Sequence, residues 1–176
     1  MFNEDCHIDT SSKIMPVIDE AFRVSNIKPS MIDKIFVING PGSFTGIRFG
    51  LTFCKVMAYC LNIPIVTLSS LEVMASGFDS DVTSLIDARR GYVYAGSYDK
   101  DLNILHGDEY VLFNELDTRG LLVSYDNLST VKPKLDLIKI INKHKDDEGI
   151  LVHNANPNYL KLTEAEEKRL NDKESK

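Results

Sequence analysis

The sequence predicts an α/β fold in which one part of the sheet is parallel and another part is antiparallel. Helix and strand patterns alternate along residues 11–76. Strand patterns then follow one another over residues 82–124, and the runs 82–86 and 92–98 are joined by a short turn typical of a hairpin. A chain of 176 residues can build one domain with a substantial core or two small lobes.

The N-terminal part is predicted to contain three helices and two strands. The strands are fully apolar runs without polar alternation, which is typical of buried parallel strands. Pro16 is placed in the first turn of the first helix, where a missing N–H group is tolerated. The predicted elements are a helix over residues 11–26, a strand over 34–39, a helix over 45–61, a strand over 63–68 and a short helix after Ser69 or Ser70.

The C-terminal part is predicted to be mostly strands. Besides the hairpin, we expect strands at residues 108–113, 120–124 and 150–152. A helix opened by Pro133 carries Leu135, Ile138 and Ile141 on one side. The charged residues 167–176 are predicted to be a disordered tail.

Composition narrows the function classes. The formal net charge of −6 argues against autonomous binding of nucleic acid, although a basic partner can hold it instead. No apolar run is long enough to span a bilayer, and no secretory signal is visible. Cys6, Cys54 and Cys60 lack metal-ligand spacing, so we expect buried free thiols and a cytoplasmic protein.

The glycine-rich turn between the first strand and the second helix, residues 40–50, suggests a phosphate-binding loop. A Walker A loop requires Gly-Lys followed by Ser or Thr, and the nearest lysine, Lys55, lies two turns into the helix. A dinucleotide fingerprint requires glycine at its sixth position, where Thr45 stands. We therefore expect a structural turn and no bound cofactor.

The helix after this turn is apolar on two sides. One side carries the row Phe49, Phe53, Val56 and Cys60, and the other carries residues that include Leu51 and Ala58. Only a narrow stripe is polar, formed by Arg48, Thr52, Lys55 and Tyr59. Two apolar sides indicate burial on two sides. The second side can be covered by the first helix of the same chain or by another protein.

Other candidate chemistry is sparse. Asp87 lies in the predicted hairpin turn beside Arg89 and Arg90, where it can bind a metal or act as a base. Carboxylates in turns usually accept hydrogen bonds from backbone N–H groups, and that interpretation is favoured. The four histidines, His7, His106, His144 and His153, have no metal-ligand spacing, and we expect them at the surface. The spacing of these residues along the sequence does not by itself indicate a set of catalytic residues.

Several blocks together resemble the signature of the TsaB (YeaZ) family. The first is the turn made of Gly40, Pro41, Gly42, Ser43, Phe44, Thr45, Gly46, Ile47 and Arg48. It is followed in the right order by similar blocks at residues 63–66, 69–72, 87–94, 157–161 and 164–166. The resemblance extends over residues 11–166 and is much more specific than a glycine pattern.

The resemblance implies a function and a fold. It implies a non-catalytic subunit for making threonylcarbamoyladenosine at position 37 of tRNA, paired with the catalytic paralogue TsaD and joined by the ATPase TsaE. It implies the actin-like, ribonuclease H-like α/β fold, with lobes at residues 1–76 and 77–166. Family members pair through their first two helices, which implies interface residues Ile14, Val17, Ile18, Phe22, Phe49, Phe53, Val56 and Cys60.

The start of the chain departs from the family pattern. The strands that normally precede the first helix are expected to be absent, which would expose a sheet edge and remove any remaining nucleotide site. Two alternatives stay open at this point. The chain can be a nucleotide-binding enzyme of the same superfamily, or a protein that forms a homodimer through the same two helices.

Overall fold

A computed structural model describes residues 10–161, with only the backbone for residues 10–13. Cys6, His7, the block at 164–166 and the predicted tail at 167–176 lie outside these residues. The helices are α1 (Thr10–Ser25), α2 (Phe44–Leu61), α3 (Ser70–Ala75) and α4 (Leu137–His144). The strands are β1 (Ile35–Gly40), β2 (Ile65–Ser69), β3 (Val82–Arg89), β4 (Tyr92–Tyr98), β5 (Ile104–Leu112) and β6 (Leu121–Ser124).

The strands form two sheets, one parallel and one mostly antiparallel. β1 and β2 pair in parallel, and over residues 10–161 they form a sheet of their own. The second sheet has the order β5-β4-β3-β6, in which β3, β4 and β5 are antiparallel and β6 runs parallel to β3. The predicted hairpin is confirmed, since β3 and β4 pair from Val82 opposite Tyr98. The mixed α/β class predicted from the sequence is confirmed as well.

Local signals in the sequence set the ends of the two central helices. The Ser43 hydroxyl accepts a hydrogen bond from the Gly46 N–H at 3.4 Å and caps the start of α2. At the other end, Asn62 takes the left-handed conformation, and its N–H meets the carbonyls of Ala58 and Tyr59. The Ser69 hydroxyl accepts from the N–H groups of the first turn of α3. Each cap lies within one or two residues of the predicted boundary.

The core consists of three apolar clusters. The first joins β1, α2 and β2 through Val37, Leu51, Ala58 and Ile65, all of which are buried. The second lies between the sheets around α3 and includes Leu71. The third lies under the hairpin, around Leu85, Val93 and Ala95. The first cluster holds α2 on its sheet, so the second apolar side of α2 is left to contact something else.

Two predicted helix starts are wrong. Pro16 lies inside α1 and not in its first turn. Pro133 does not open α4, because the following residues make tertiary hydrogen bonds: the Lys134 carbonyl accepts from Gly77, and the Asp136 N–H donates to the Ser76 hydroxyl. The Asp136 carboxylate then caps α4 by accepting from the Lys139 N–H at 2.9 Å.

The predicted strand at residues 150–152 is a single bridge. Ile150 exchanges two backbone hydrogen bonds with Ile65, at 2.8 and 3.2 Å, and a 3-10 turn at Val152–Asn154 follows. Ala155 is fully buried in the first cluster. The chain therefore returns to the first sheet at its C-terminal end. A division into lobes near residue 76 stays a prediction.

Candidate partner-binding surface

Helix α1 has an apolar side that the rest of the described chain covers incompletely. No side chain from Ile14 to Ser25 is buried. Met15 is 55% exposed, and Val24 is 59% exposed. Burying an apolar side chain is favourable by roughly 25 cal/mol for each Å² removed from water. A helix that leaves its apolar side open forgoes this stabilisation within its own chain.

A groove of about 320 Å³ lies between α1 and α2, and its wall is almost entirely apolar. The α1–α2 groove is lined by Met15, Ile18, Asp19, Phe22, Pro29, Phe53, Val56, Met57, Cys60 and Leu61. Asp19 is its one charged residue. The Val56 side chain is 59% exposed, and Cys60 is exposed too. Surfaces of this composition are typical of sites that bind another protein.

The interface residues named from the sequence divide into two groups. Ile18, Phe22, Phe53, Val56 and Cys60 line the α1–α2 groove. The other three, Ile14, Val17 and Phe49, lie on the same two helices and are half-buried, outside the groove lining. As an interface, all eight residues remain a prediction.

The two cysteines of α2 differ in their surroundings. Both thiols are free, as expected, but only Cys54 is half-buried, packed against the first apolar cluster. Burial raises the pKa of the Cys54 thiol. Cys60 is exposed in the α1–α2 groove, so the expectation of burial is wrong for Cys60 in the isolated chain.

The family-signature turn serves a structural purpose at the start of α2. Gly40 and Pro41 are buried at the end of β1, and Gly42 is half-buried. Ser43 caps the helix. The residues that follow, Phe44, Thr45, Gly46 and Arg48, are exposed along the first turn of α2.

A second cleft, of about 450 Å³, opens beside this turn. Its wall is mostly apolar and is lined by Ile38, Pro41, Gly42, Ser43, Gly46, Ile47, Ser70, Val73, Met74, Ile86, Tyr125, Asp126 and Leu135. The one charged side chain there, Asp126, is acidic and accepts a hydrogen bond from the Asp87 N–H at 2.8 Å. A phosphate is held by cations and free N–H groups, and this lining has no cation.

Asp87 has the structural role that the sequence favoured. One of its carboxylate oxygens accepts a hydrogen bond from the Arg89 N–H at 2.7 Å. Arg89 and Arg90 both have positive φ in this tight turn. Among the described residues, no group of three or more histidine, cysteine, aspartate or glutamate side chains is placed to hold a metal ion.

His144 is half-buried, with its side chain 19% exposed, and so is less accessible than expected. Its Nε2 lies 2.9 Å from the Glu72 carboxylate, and its Nδ1 lies 2.8 Å from Asp147. The Lys143 ammonium approaches the same Glu72 oxygen at 3.0 Å. Burial is the largest single influence on the pKa of His144 and lowers it, but the hydrogen bonds to Glu72 and Asp147 together outweigh burial and raise it. The Glu72 side chain at the middle of this network is 9% exposed, whereas Asp147 at its edge is 53% exposed.

A second carboxyl, half-buried, lies beside this network. The Asp108 carboxyl bonds to the Ser69 hydroxyl at 2.5 Å and to the Tyr98 hydroxyl. Burial raises the pKa of Asp108 and, together with the Asp108 charge, that of Tyr98. Glu72 joins α3 to α4, and Asp108 of β5 joins Ser69, at the start of α3, to Tyr98 of β4. Spacing did not predict these contacts, because the partners lie 39 and 72 residues apart.

No helix among the residues that the structure describes is both long and apolar enough to cross a membrane.

Comparison with known proteins gives consistent results. A family model described as "TsaD: tRNA N6-adenosine threonylcarbamoyltransferase" matches residues 4–136. A Bacillus subtilis protein named tRNA threonylcarbamoyladenosine biosynthesis protein TsaB is 32% identical over 188 residues, which cover 90% of this chain and 82% of that protein. The Escherichia coli protein of the same name is 33% identical over 112 residues, which cover 60% of this chain and 48% of that protein.

A shorter similarity extends to an enzyme. The tRNA N6-adenosine threonylcarbamoyltransferase of Geotalea daltonii is 37% identical over 78 residues, which cover 43% of this chain and 22% of the enzyme. This match spans less than a quarter of the enzyme, so it indicates shared ancestry of one part of the fold.

Solved structures show the same fold. YeaZ from Pseudomonas aeruginosa superposes with a TM-score of 0.76 at 20% identity, covering 87% of this chain and 86% of YeaZ. Another Pseudomonas aeruginosa protein, described as similar to peptidase YEAZ, gives a TM-score of 0.73, covering 86% of this chain and 84% of that one. The fold is the actin-like, ribonuclease H-like α/β fold that the resemblance implies.

Proposed function

The chain belongs to the TsaB (YeaZ) family, and on this premise we propose that it is a non-catalytic, activating subunit in the formation of threonylcarbamoyladenosine at position 37 of tRNA. It pairs with the catalytic paralogue TsaD, and the ATPase TsaE joins the pair. The names of its relatives support the pathway. The TsaD family model, which covers residues 4–136, supports a TsaD-related complex.

The α1–α2 groove is the observation that best supports pairing with TsaD. Its apolar residues come from two helices, and several of them are exposed in the isolated chain. An equivalent pair of helices from a related fold supplies a surface of matching shape, since apolar grooves accept apolar helix faces. The tRNA is then held by the partner, in keeping with the net charge of −6 on this chain.

The apolar and acidic lining of the cleft beside the signature turn supports an accessory role over a nucleotide-binding one. Its composition offers no cation for a phosphate. Calorimetry of the isolated chain with ATP and Mg²⁺ tests this point. Stoichiometric binding would favour the alternative of a nucleotide-binding enzyme.

A cytoplasmic location is part of the same proposal. Cys54 and Cys60 are both unpaired in the structure, which is typical of proteins kept in a reducing compartment.

Substitution at the α1–α2 groove tests the pairing. Val56→Glu places a charge in the groove at an exposed position, so the chain still folds, and we expect co-purification with TsaD to be lost. Thr52→Glu is the matched control, because Thr52 is exposed on the same helix and does not line the groove. Undiminished binding by a folded Val56→Glu variant contradicts the proposed interface.

Chemical labelling of Cys60 gives an independent readout. In a Cys6→Ser background, Cys60 reacts with a maleimide faster than Cys54, whose thiol is half-buried with a raised pKa. We expect bound TsaD to protect Cys60. Equal labelling of Cys60 in the free chain and in the complex would place the partner elsewhere.

A homodimer through the same groove is the competing assembly. Sedimentation of the chain alone and with TsaD separates the two. A dimer that dissociates when TsaD is added indicates one groove serving both assemblies, whereas a dimer that persists beside bound TsaD requires a second surface.

A further inference from the structure

Residues 154–161 form a strap that crosses the end of β1. The Asn158 N–H donates to the Asn39 carbonyl at 2.8 Å. The Asn39 side-chain amide donates in return to the Asn156 carbonyl at 3.0 Å. The strap is therefore tied to the last residues of β1, immediately before the signature turn.

The same strap is tied to α2. The Lys55 ammonium donates to the Ala155 carbonyl at 2.9 Å. Arg48 Nε donates to the Tyr159 hydroxyl at 2.5 Å. The Tyr159 ring stacks on Phe44 with 5.6 Å between ring centroids, and the Arg48 guanidinium lies 3.7 Å from the centroid of the Phe44 ring. The strap thus holds α2 near its start and again about two turns later.

The strap and the α1–α2 groove lie on different sides of α2. Arg48 and Lys55 are seven residues apart, two turns along one side of the helix. Phe53, Val56 and Cys60 follow spacings of three and four and define the groove side. At 3.6 residues per turn, the centres of the two sets lie roughly a third of a turn apart around the helix axis. The polar stripe predicted from the sequence therefore faces the strap at Arg48 and Lys55, neither of which lines the groove.

A glycine makes the close approach of the strap possible. A Cβ atom at Gly40 would lie 2.9 Å from the Asn158 carbonyl oxygen, and the φ of Gly40 is +124°. Any larger residue there would push the strap away from β1. The blocks at residues 40–48 and 157–161, separated by more than a hundred residues, are thus two halves of one contact.

We propose that the strap positions α2 for partner binding, with Arg48, Lys55 and Tyr159 as positioning residues that do not themselves touch the partner. The inference rests on the proposed function for the identity of the partner. α2 supplies one wall of the groove, so the placement of α2 sets the shape that the partner meets. Because preorganised surfaces lose less entropy on binding, loosening α2 weakens association even when every groove residue is intact.

Removing the side-chain ties tests this role without touching the groove. Tyr159→Phe keeps the ring stacked on Phe44 and loses only the hydroxyl, and Lys55→Met keeps most of the aliphatic stem. Thr52→Ala is the matched control, since Thr52 lies between the two tied positions on the same stripe and is exposed. Hydrogen exchange of α2 amides in the isolated chain and the dissociation constant with TsaD are measured for each variant.

We expect the double variant Tyr159→Phe, Lys55→Met to raise exchange of α2 amides by about tenfold and the dissociation constant by about threefold to tenfold, the scale of lost hydrogen bonds to charged groups. Thr52→Ala leaves both unchanged. Faster exchange with an unchanged dissociation constant overturns the positioning role. Unchanged exchange overturns the claim that the side-chain ties hold α2.

The proposed function is judged separately. Val56→Glu tests the groove directly. If Val56→Glu abolishes TsaD binding while the strap variants bind normally, the groove interface is supported and the positioning role of the strap is refuted. If the wild-type chain fails to bind TsaD, the proposed partner is wrong, and so is the proposed effect of the strap on binding that partner. Hydrogen exchange of the α2 amides still decides whether the strap holds this helix in place.

Discussion

The α1–α2 pair and the α3–α4 pair meet in opposite ways. Between α1 and α2 the facing side chains are apolar and partly open, with Val56 59% exposed. Between α3 and α4 the contact is ionic and centres on the Glu72 side chain, which is 9% exposed between Lys143 and His144.

The α3–α4 contact is complete within the single chain, whereas the α1–α2 contact leaves apolar surface uncovered. A buried charge is costly unless its partners are in place, and Glu72 has its partners within the chain. Apolar side chains left in water gain stability when something covers them. The ionic contact therefore serves the fold of the single chain, and the apolar one offers a surface to a second chain.

The largest expected effect is at the closed contact. Glu72→Ala leaves Lys143 and His144 without their shared carboxylate, and we expect a loss of about 3 kcal/mol in the free energy of unfolding. Urea denaturation measures this loss. Asp147→Ala is the control, since Asp147 is 53% exposed and its loss costs less than about 1 kcal/mol. Equal losses for the two variants would show that the Glu72 contact is no more closed than a surface pair.

A smaller effect is expected when the stability of the α3–α4 contact is measured as a function of pH. Hydrogen bonds to Glu72 and Asp147 raise the pKa of His144 despite the opposing effect of burial, so the folded chain favours its charged form. This stabilisation is fully present below pH about 6.5, the ordinary histidine pKa, and is lost as the pH rises through the raised pKa. Relative to His144→Gln, the wild type should lose less than about 1 kcal/mol of unfolding free energy on going from pH 6 to about 8.5, because solvent screens part of the interaction.

The contradictory result for this pH prediction is a wild type that gains stability over His144→Gln as the pH rises. That outcome would mean that the neutral imidazole is the form that α3 and α4 hold.

The smallest effect is expected at the open contact. Val56→Ser in the isolated chain should change the free energy of unfolding by less than about 0.5 kcal/mol, because the side chain is mostly in water before any partner arrives. Chemical denaturation of the isolated variant provides the measurement. A loss of about 2 kcal/mol in the free energy of unfolding would mean that Val56 is part of the core of the single chain. The two helix pairs would then not differ in the way described.

Much of the first half of the fold was predictable because its signals are local. The signals for the cap at Ser69, for the fully apolar runs of β1 and β2 and for the helical spacing in α2 each lie within a few neighbouring residues. The two apolar sides of α2 also followed from spacing alone, and the structure places one on the first sheet and the other along the α1–α2 groove.

The contacts that escaped prediction depend on distant residues. Asp136 begins α4 instead of Pro133 because Gly77 and Ser76 bind the backbone of residues 134–136. His144 is drawn from the surface by Glu72, and periodicity carries no signal for a pair so far apart along the chain. The polar stripe on α2 was visible, but its neighbour, the strap, was not.

The strap also has a consequence for biosynthesis. The ribosome delivers α2 early, whereas Ala155 emerges 100 residues after Lys55, and Tyr159 emerges 111 residues after Arg48. During translation α2 is therefore made before the strap exists, and the strap follows with the last described residues. A transcript cut short before the codon for Ala155 would yield a chain that carries every groove residue and lacks the part that holds them in place.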